Sequence, residues 1–181
     1  MWTLLATLAL AAPWQHQRVT LFDEAIAVPF TAAVPTPIHP GLLVGTSVGA
    51  WGSGPLEHRI QLDVGGYLHR PLEHALFVLP GWQGTWRPLQ AIGLSVLAGV
   101  GYKHAFYASP TWVRRDGDWV RRARAGRPEV TGQLGLGLDV RLDEHWALLV
   151  QHRGSVDGPF SPELAPAMVH LSTHVGVEVR R

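Results

Sequence analysis

The residues of this 181-residue chain best equipped for chemistry fall into three groups. His170 and Ser172 are separated by one residue, ten histidines are spread along the chain, and a basic motif occurs twice, as Trp112-Val113-Arg114-Arg115 and Trp119-Val120-Arg121-Arg122. An imidazole beside a hydroxyl can take its proton and make a nucleophile. Several imidazoles can ligate a metal ion. Guanidinium forks match phosphate oxygens. Each possibility depends on which way the side chains point, and therefore on the elements that carry them.

The local pattern is one of strands. In "TGQLGLGLDVR", residues 131–141, Leu134, Leu136, Leu138 and Val140 alternate with Gln133, Gly135, Gly137, Asp139 and Arg141. In "HRIQLDVGGYLHR", Ile60, Leu62, Val64 and Leu68 share a face opposite Arg59, Gln61, Asp63 and His69. "AIGLSVLAGVGYKH" sets Ile92, Leu94, Val96, Ala98, Val100 and Tyr102 against Gly93, Ser95, Gly99, Gly101 and Lys103. "VHLSTHVGVEVRR" sets Val169, Leu171, Val175, Val177 and Val179 against His170, Ser172, His174, Glu178 and Arg180. "LLVGTSVGAW" sets Leu42, Val44, Val48 and Ala50 against Gly45, Ser47 and Gly49. These are period-2 signals with almost no helical competitor. Segments 18–31, 75–87 and 146–154 alternate less cleanly, because both faces carry apolar residues. The total is about eight strands and no helix.

The apolar face must be covered by a second protein layer or by lipid. Composition bears on the choice: 46% of residues are hydrophobic and only 16% charged, against roughly 25% charged in soluble domains. Twenty glycines and fourteen prolines suit short turns. In a soluble sandwich the polar face would be dotted with Lys and Glu. Here it mixes glycine with isolated charges of both signs, as the narrow interior of an eight-stranded barrel requires. The apolar faces run for about 9–11 residues, the length of a tilted membrane-crossing strand. The expected fold is therefore all-β, an eight-stranded antiparallel up-and-down transmembrane β-barrel. Its alternatives are a soluble, ligand-binding barrel of lipocalin type and a small-solute pore.

Connection lengths agree. If the first strand leaves the periplasm, "GSGPLE", "RPLQ" and "LDEH" are brief periplasmic turns, while 106–128 and 155–167 are long outer loops; "LHRPLEH" is a short exception. Trp51, Trp86 and Trp146 then fall at the periplasmic rim, with Tyr67, Tyr102, Phe106 and Tyr107 at the other end. These are the expected interfacial aromatic girdles. At the N-terminus a short apolar run closes with Ala9-Leu10-Ala11, so residues 1–11 are expected to be a signal peptide, although no Lys or Arg precedes the run. Residues 12–181 are expected to form a single barrel domain exported to the outer membrane.

In order along the chain, "TPIHPGLLVGTSVG", "HALFVLPGWQG", "GVGYKHAFY", "GRPEVTGQLGLGLDV", "WALLVQHRGSVDGPFSPELAP" and "HLSTHVGVEV" resemble a family of Gram-negative outer-membrane β-barrel proteins, largely without assigned function. The resemblance spans about residues 18–181 and is one of pattern, with no catalytic motif. It implies an eight-stranded barrel similar in architecture to the OmpA transmembrane domain, inserted by the barrel assembly machinery. Such barrels often end in an aromatic residue, whereas this chain reads Val179-Arg180-Arg181.

The chemistry can now be placed. Outer-membrane lipid A deacylases carry a His-x-Ser pair that faces the bilayer, but alternation here points His170 and Ser172 inward. A lipid-modifying enzyme built on that pair is therefore the alternative, and a non-enzymatic protein the expectation. His170 and His174 lie about 13 Å apart on a strand and cannot share an ion unless other strands contribute. The chain has no Cys and no H-E-x-x-H pattern, so no metal and no cofactor are expected. Arg59, Asp63, Lys103, Asp139, Arg141, Gln151, Arg153, His170, His174, Glu178 and Arg180 should form a charge-paired network filling the lumen, because buried charges are tolerated when paired. Asp116-Gly117 is a hairpin turn signal between the two basic repeats. With Arg114, Arg115, Arg121 and Arg122 it makes a basic hairpin expected outside the cell, facing lipopolysaccharide phosphates. A formal net charge of +1 gives no ground for nucleic acid. Outer-membrane lipid and lipopolysaccharide are the expected partners of a monomer.

Overall fold

A computed structural model describes residues 16–26, 38–69, 73–108, 110, 112–121, 126–159 and 167–180. The barrel strands are β1 (His16–Ile26), β2 (Pro40–Ser53), β3 (Leu56–His69), β4 (Glu73–Leu89), β5 (Ile92–Tyr107), β8 (Arg127–Arg141), β9 (Trp146–Gly158) and β10 (Met168–Arg180). The short strands β6 (Trp112–Arg115) and β7 (Asp118–Arg121) form a separate two-stranded ribbon between β5 and β8. The eight long strands close in the order β1-β10-β9-β8-β5-β4-β3-β2, with every pair antiparallel. Closure leaves no unpaired sheet edge, which lets strands cross hydrocarbon without exposing backbone N–H and C=O groups.

Alternation decides what each face meets. On β8, Leu134, Leu136 and Leu138 point out, with Leu136 67% exposed, while Thr131 and Asp139 are buried inside. Leu136 lies directly across from Val96 of β5, also exposed, so the two share the outer surface. The weakly alternating segments are strands too. β1 is described only to Ile26, so the expected extension through 27–31 lies outside the described residues, as does the expected signal peptide 1–11.

One parity expectation is overturned. The pairing of β2 with β3 slips between Ser47 and Gly49, leaving Val48 as a bulge. Beyond it the faces exchange: Ala50 sits across from the inward Arg59, and Trp51 across from His58 on the outside. Strict alternation would have driven Trp51 into the lumen and turned Ala50 outward. The extra residue instead seats the indole on the outer surface, where it stacks on His58 at 5.8 Å, and His58 in turn stacks on Trp82 at 5.7 Å.

The connections sort by length with one exception. β2–β3, β4–β5 and β8–β9 are joined by tight turns at one end, and β1–β2, β5–β8 and β9–β10 by long connections at the other, where β3–β4 is joined by residues 70–72 alone. In the β6–β7 turn Asp116 has φ 52° and Gly117 φ 95°, the two positive values that a type I′ hairpin needs. In the β8–β9 turn, the backbone N–H groups of His145 and Trp146 each donate to Asp143 Oδ1 at 2.7 Å and hold that carboxyl below its usual range.

Two predictions come from this architecture. Leu136→Arg should destabilise the refolded protein in lipid vesicles by about 2–4 kcal/mol, the cost of a cation near the bilayer midplane. Leu142→Arg, in the exposed β8–β9 turn, should be within about 0.5 kcal/mol of wild type. Equal effects would show that lipid does not cover the β8 outer face. Because the Asp143 carboxyl is depressed, its stabilising contribution is present above the unfolded value of about 3.9 and lost as pH falls through the native value. Asp143→Ala should therefore lower the urea midpoint at pH 7, with a smaller difference at pH 2.

Candidate functional site in the barrel lumen

The inward side chains form layers along the barrel. Nearest the short-turn end, Glu178 accepts from Arg59 Nη1 at 2.8 Å and from Arg180 Nε at 2.9 Å, and its Oε1 lies 3.3 Å from His16 Nδ1. Asp139 accepts from Arg87 Nη1 at 2.6 Å and lies 3.4 Å from Arg180 Nη2. Arg141 is half-buried at this rim beside an open cavity of about 590 Å³, into which Arg87 and Glu57 also project.

The middle layer spans the barrel. Arg18 from β1 places Nη2 2.6 Å from both oxygens of Asp63 on β3, and Arg153 from β9 donates Nη1 to Asp63 Oδ2 at 3.0 Å. One carboxylate thus holds two guanidinium groups that reach in from different sides. Arg18, Asp63 and Arg153 are at most 4% exposed. The remaining donors are met by amides: Arg18 Nη1 to Gln83 at 3.0 Å, and Arg153 Nη2 to Gln151 at 2.5 Å. Small residues make the room. A Cβ at Gly45 would collide with Asp63 and Arg18, and one at Gly93 would collide with Asp139 and Arg87.

Above this lies an apolar layer that the polar-lumen expectation did not contain. Phe22, Leu43, Tyr67 and Ala75 cluster inside the barrel with Phe77 packed against them, and His174 stacks on Phe22 at 4.5 Å. Tyr67 corrects an expectation. It is not an interfacial ring but 6% exposed in the lumen, where its hydroxyl donates to Glu73 at 2.7 Å and accepts from Lys103 Nζ at 2.9 Å. Tyr67 has the parity of Asp63 and His69, so alternation placed it inside all along. Tyr107 likewise has inward parity and sits at the mouth with the Arg127 guanidinium 5.8 Å from its ring centroid. Trp51, Trp86, Trp146 and Tyr102 are exposed on the outer surface.

At the long-loop end, Lys103 Nζ is shared by Asp157 at 2.6 Å, Glu73 at 2.7 Å and Glu129 at 3.0 Å. Arg127 pairs with Glu129, so it belongs to this mouth and not to the basic hairpin. Glu24 takes His69 Nδ1 on one oxygen and His170 Nδ1 on the other, each at 2.5 Å. His170 Nε2 faces Asp157 at 3.1 Å. Sequence reading missed Arg18 and Glu24, because Phe22 between them blurs the β1 alternation. It missed Glu129 and Asp157 because both lie just beyond the expected strand ends. Every-second-residue spacing from Thr131 and from Arg153 would have found them.

The nucleophile idea can be judged on this geometry. His170 is bound to Glu24 and Asp157, while Ser172 pairs with His174 Nε2 at 2.9 Å. Both are inside, next to a void of only about 30 Å³, room for a water or two but not for an acyl chain. On the outer face, His152 Nδ1 lies 3.1 Å from Thr173 Oγ1, a lipid-side imidazole–hydroxyl pair that sequence reading did not single out. Of the basic hairpin, Asp116 and Gly117 are exposed at the tip, and Arg114, Arg115 and Arg121 are placed by backbone pairing alone; Arg122 lies outside the described residues.

The middle layer yields a prediction. Asp63→Ala leaves two guanidinium groups buried without their counter-ion, and breaking such a pair from one side costs about 3–5 kcal/mol. Urea unfolding of the refolded barrel measures it, and a loss below about 1 kcal/mol would mean that the Arg18–Asp63–Arg153 contact is not a buried pair in solution.

No protein-family model matches the sequence, and no curated protein matches it. Among solved structures the chain is similar to Neisserial surface protein A, at 9% identity and a TM-score of 0.56, covering 92% of this chain and 96% of that one. It is also similar to Ail, the attachment invasion locus protein of Yersinia pestis, at 11% identity and a TM-score of 0.51, over 93% and 99% of the two chains. A de novo designed transmembrane β-barrel matches at 11% identity and a TM-score of 0.52, over 94% and 98%. Likeness at these identities is likeness of fold, and a designed barrel among the matches shows that this fold carries no function of its own. The chain has the closed, eight-stranded, all-antiparallel fold of the outer-membrane β-barrels.

Proposed function

We propose that this protein resides in the outer membrane as a non-enzymatic barrel with a structural or surface-interaction role, and that its basic hairpin contacts lipopolysaccharide phosphates. The observation that carries the reading is the filled lumen. Ion pairs and the Phe22 layer occupy the interior, so the surface available to partners lies at the rims and loops. Of these, the β6–β7 ribbon has the most individual composition. Trp112 and Trp119 on it are 57% and 69% exposed, and indole rings favour the headgroup level. Arg114, Arg115, Arg121, Arg122 and Arg124 outnumber Asp116 and Asp118 in this segment.

A lipid-acting enzyme is the second reading, and the outer His152–Thr173 pair is the observation that favours it. Against it stands the wall itself. Backbone N–H groups around the pair are engaged in the β8–β9 and β9–β10 ladders, so the wall offers no backbone oxyanion donors. Thr173→Val should leave phospholipid and lipid A turnover in refolded samples unchanged from a background level.

Replacing Arg114, Arg115, Arg121 and Arg122 with Gln should leave folding intact and weaken association with lipopolysaccharide vesicles. It should also flatten the salt dependence, since exposed charge contacts are screened by salt. Unchanged binding at low salt would reject the hairpin as the contact. A Cys introduced at Gly117 should be labelled from outside intact cells. Labelling only after outer-membrane permeabilisation would invert the topology and remove the proposal.

A further inference from the structure

The long-loop mouth of the lumen has an unbalanced set of charges. Among the described residues, the buried carboxylates there are Glu24, Glu73, Glu129 and Asp157, whereas the permanent cations are Lys103 and Arg127. At the short-turn end the excess is of the opposite sign, with Arg59, Arg87, Arg141 and Arg180 facing Glu57, Asp139 and Glu178. Buried carboxylates need compensating positive charge close by, and at the mouth the groups nearest Glu24 are imidazoles.

Three strands bring these imidazoles together. Glu24 comes from β1, His69 from the end of β3, and His39 immediately precedes β2. One candidate ligand atom from each of Glu24, His39 and His69 lies within 4.8 Å of the others, and all three residues are buried. The rings of His39 and His69 stack with centroids 3.5 Å apart and planes 16° from parallel. His39 Nδ1 donates to the backbone carbonyl of Glu24 at 2.9 Å. That bond fixes the tautomer, leaves the lone pair on Nε2, and is the usual outer-shell support of a ligating histidine. On the other side of Glu24, the buried Nε2 of His170 lies 3.1 Å from an Asp157 oxygen, an ion-pair contact that is not aligned as a hydrogen bond.

We infer that Glu24, His39 and His69, with His170 beside them, bind a divalent transition-metal ion of the zinc class at the long-loop end of the lumen. Nitrogen and carboxylate oxygen donors in this combination suit Zn²⁺, which takes about four ligands at roughly 2.0–2.2 Å. Closing the ligand set around an ion requires His69 Nδ1 and Glu24 Oε2, now hydrogen-bonded at 2.5 Å, to exchange that proton for the metal. The ion supplies two positive charges that the carboxylate cluster lacks among the described residues, and proton release accompanies its uptake. It would also tie β1, the start of β2 and the end of β3 together at the base of the long β1–β2 connection. His170 and His174 alone are too far apart for one ion, and it is the fold that supplies His170 with closer companions.

The test uses the full chain refolded in detergent, stripped with chelator and dialysed against zinc(II) chloride at micromolar free ion. Wild type is expected to hold one zinc per chain, with a raised unfolding temperature that chelator reverses. His39→Gln and His69→Gln are each expected to weaken binding by at least tenfold, while the outer-face control His152→Gln leaves it unchanged. Cobalt(II) in place of zinc should give visible absorption bands of a four-coordinate site in wild type and not in His39→Gln. Failure of wild type to retain zinc overturns the proposal whatever the variants do. Stoichiometric zinc that survives both His39→Gln and His69→Gln also overturns it, because the ion then sits elsewhere.

Discussion

The constraint on which this structure depends is that a charge enclosed by eight strands and a lipid coat has no bulk water to return to. It must find its counter-charge inside the tube. Asp63 shows how tightly that acts. Its two oxygens receive Arg18 and Arg153, which come from β1 and β9, so one carboxylate couples three strands that are not neighbours of one another. A one-residue slip in any of the three would carry its charge to the lipid face and leave the others unpaired. The ion pairs therefore specify register as well as contributing stability. The glycines belong to the same logic, since Gly45 and Gly93 are gaps into which the paired side chains fit.

The charges are not evenly spread. Arginines dominate the short-turn end and carboxylates the long-loop end, with the Phe22 layer lying between the middle ion pairs and the mouth. That layer and the guanidinium groups below it leave voids on the order of single waters. Any exchange with the surroundings is thus confined to the two rims and the loops. The same sealing removes His170 and Ser172 from lipid, and it is why a pair that looks reactive on paper is a pair of lumen hydrogen-bonding groups in space.

Much of this was legible in the sequence, because a barrel wall writes its two faces into alternate residues. Strand identity, strand number, the direction of Leu134, Leu136 and Leu138, and the lumen placement of Arg59, Asp63, Lys103 and Glu178 all follow from parity. The losses have specific causes. The Val48 bulge adds one residue with no compositional mark, so the alternation that turns Ala50 outward fails beyond it, while Trp51 reaches the outer surface that its place in the aromatic girdle requires. Tyr67 was assigned by residue type, as an interfacial ring, although its parity pointed inward. Arg18 and Glu24 were hidden because Phe22 on the inner face of β1 and apolar residues on the outer face erase the contrast. The grouping of Glu24, His39 and His69 had no local signal at all. Those residues lie on β1, just before β2 and at the end of β3, and it is the register of these three adjacent strands that makes them neighbours.

Whether the apolar outer face meets lipid is the claim on which the filled lumen, the sealed histidines and the surface hairpin all rest. The most direct measurement is electrophoretic mobility in dodecyl sulfate after refolding into detergent or lipid, with and without boiling. A closed membrane barrel resists the detergent until heated, so the unboiled sample should run ahead of the boiled one, and the shift should vanish when refolding is attempted without amphiphile. Equal mobility of the two samples, together with a soluble, folded protein in plain buffer, would contradict the account and place a protein layer where lipid is expected.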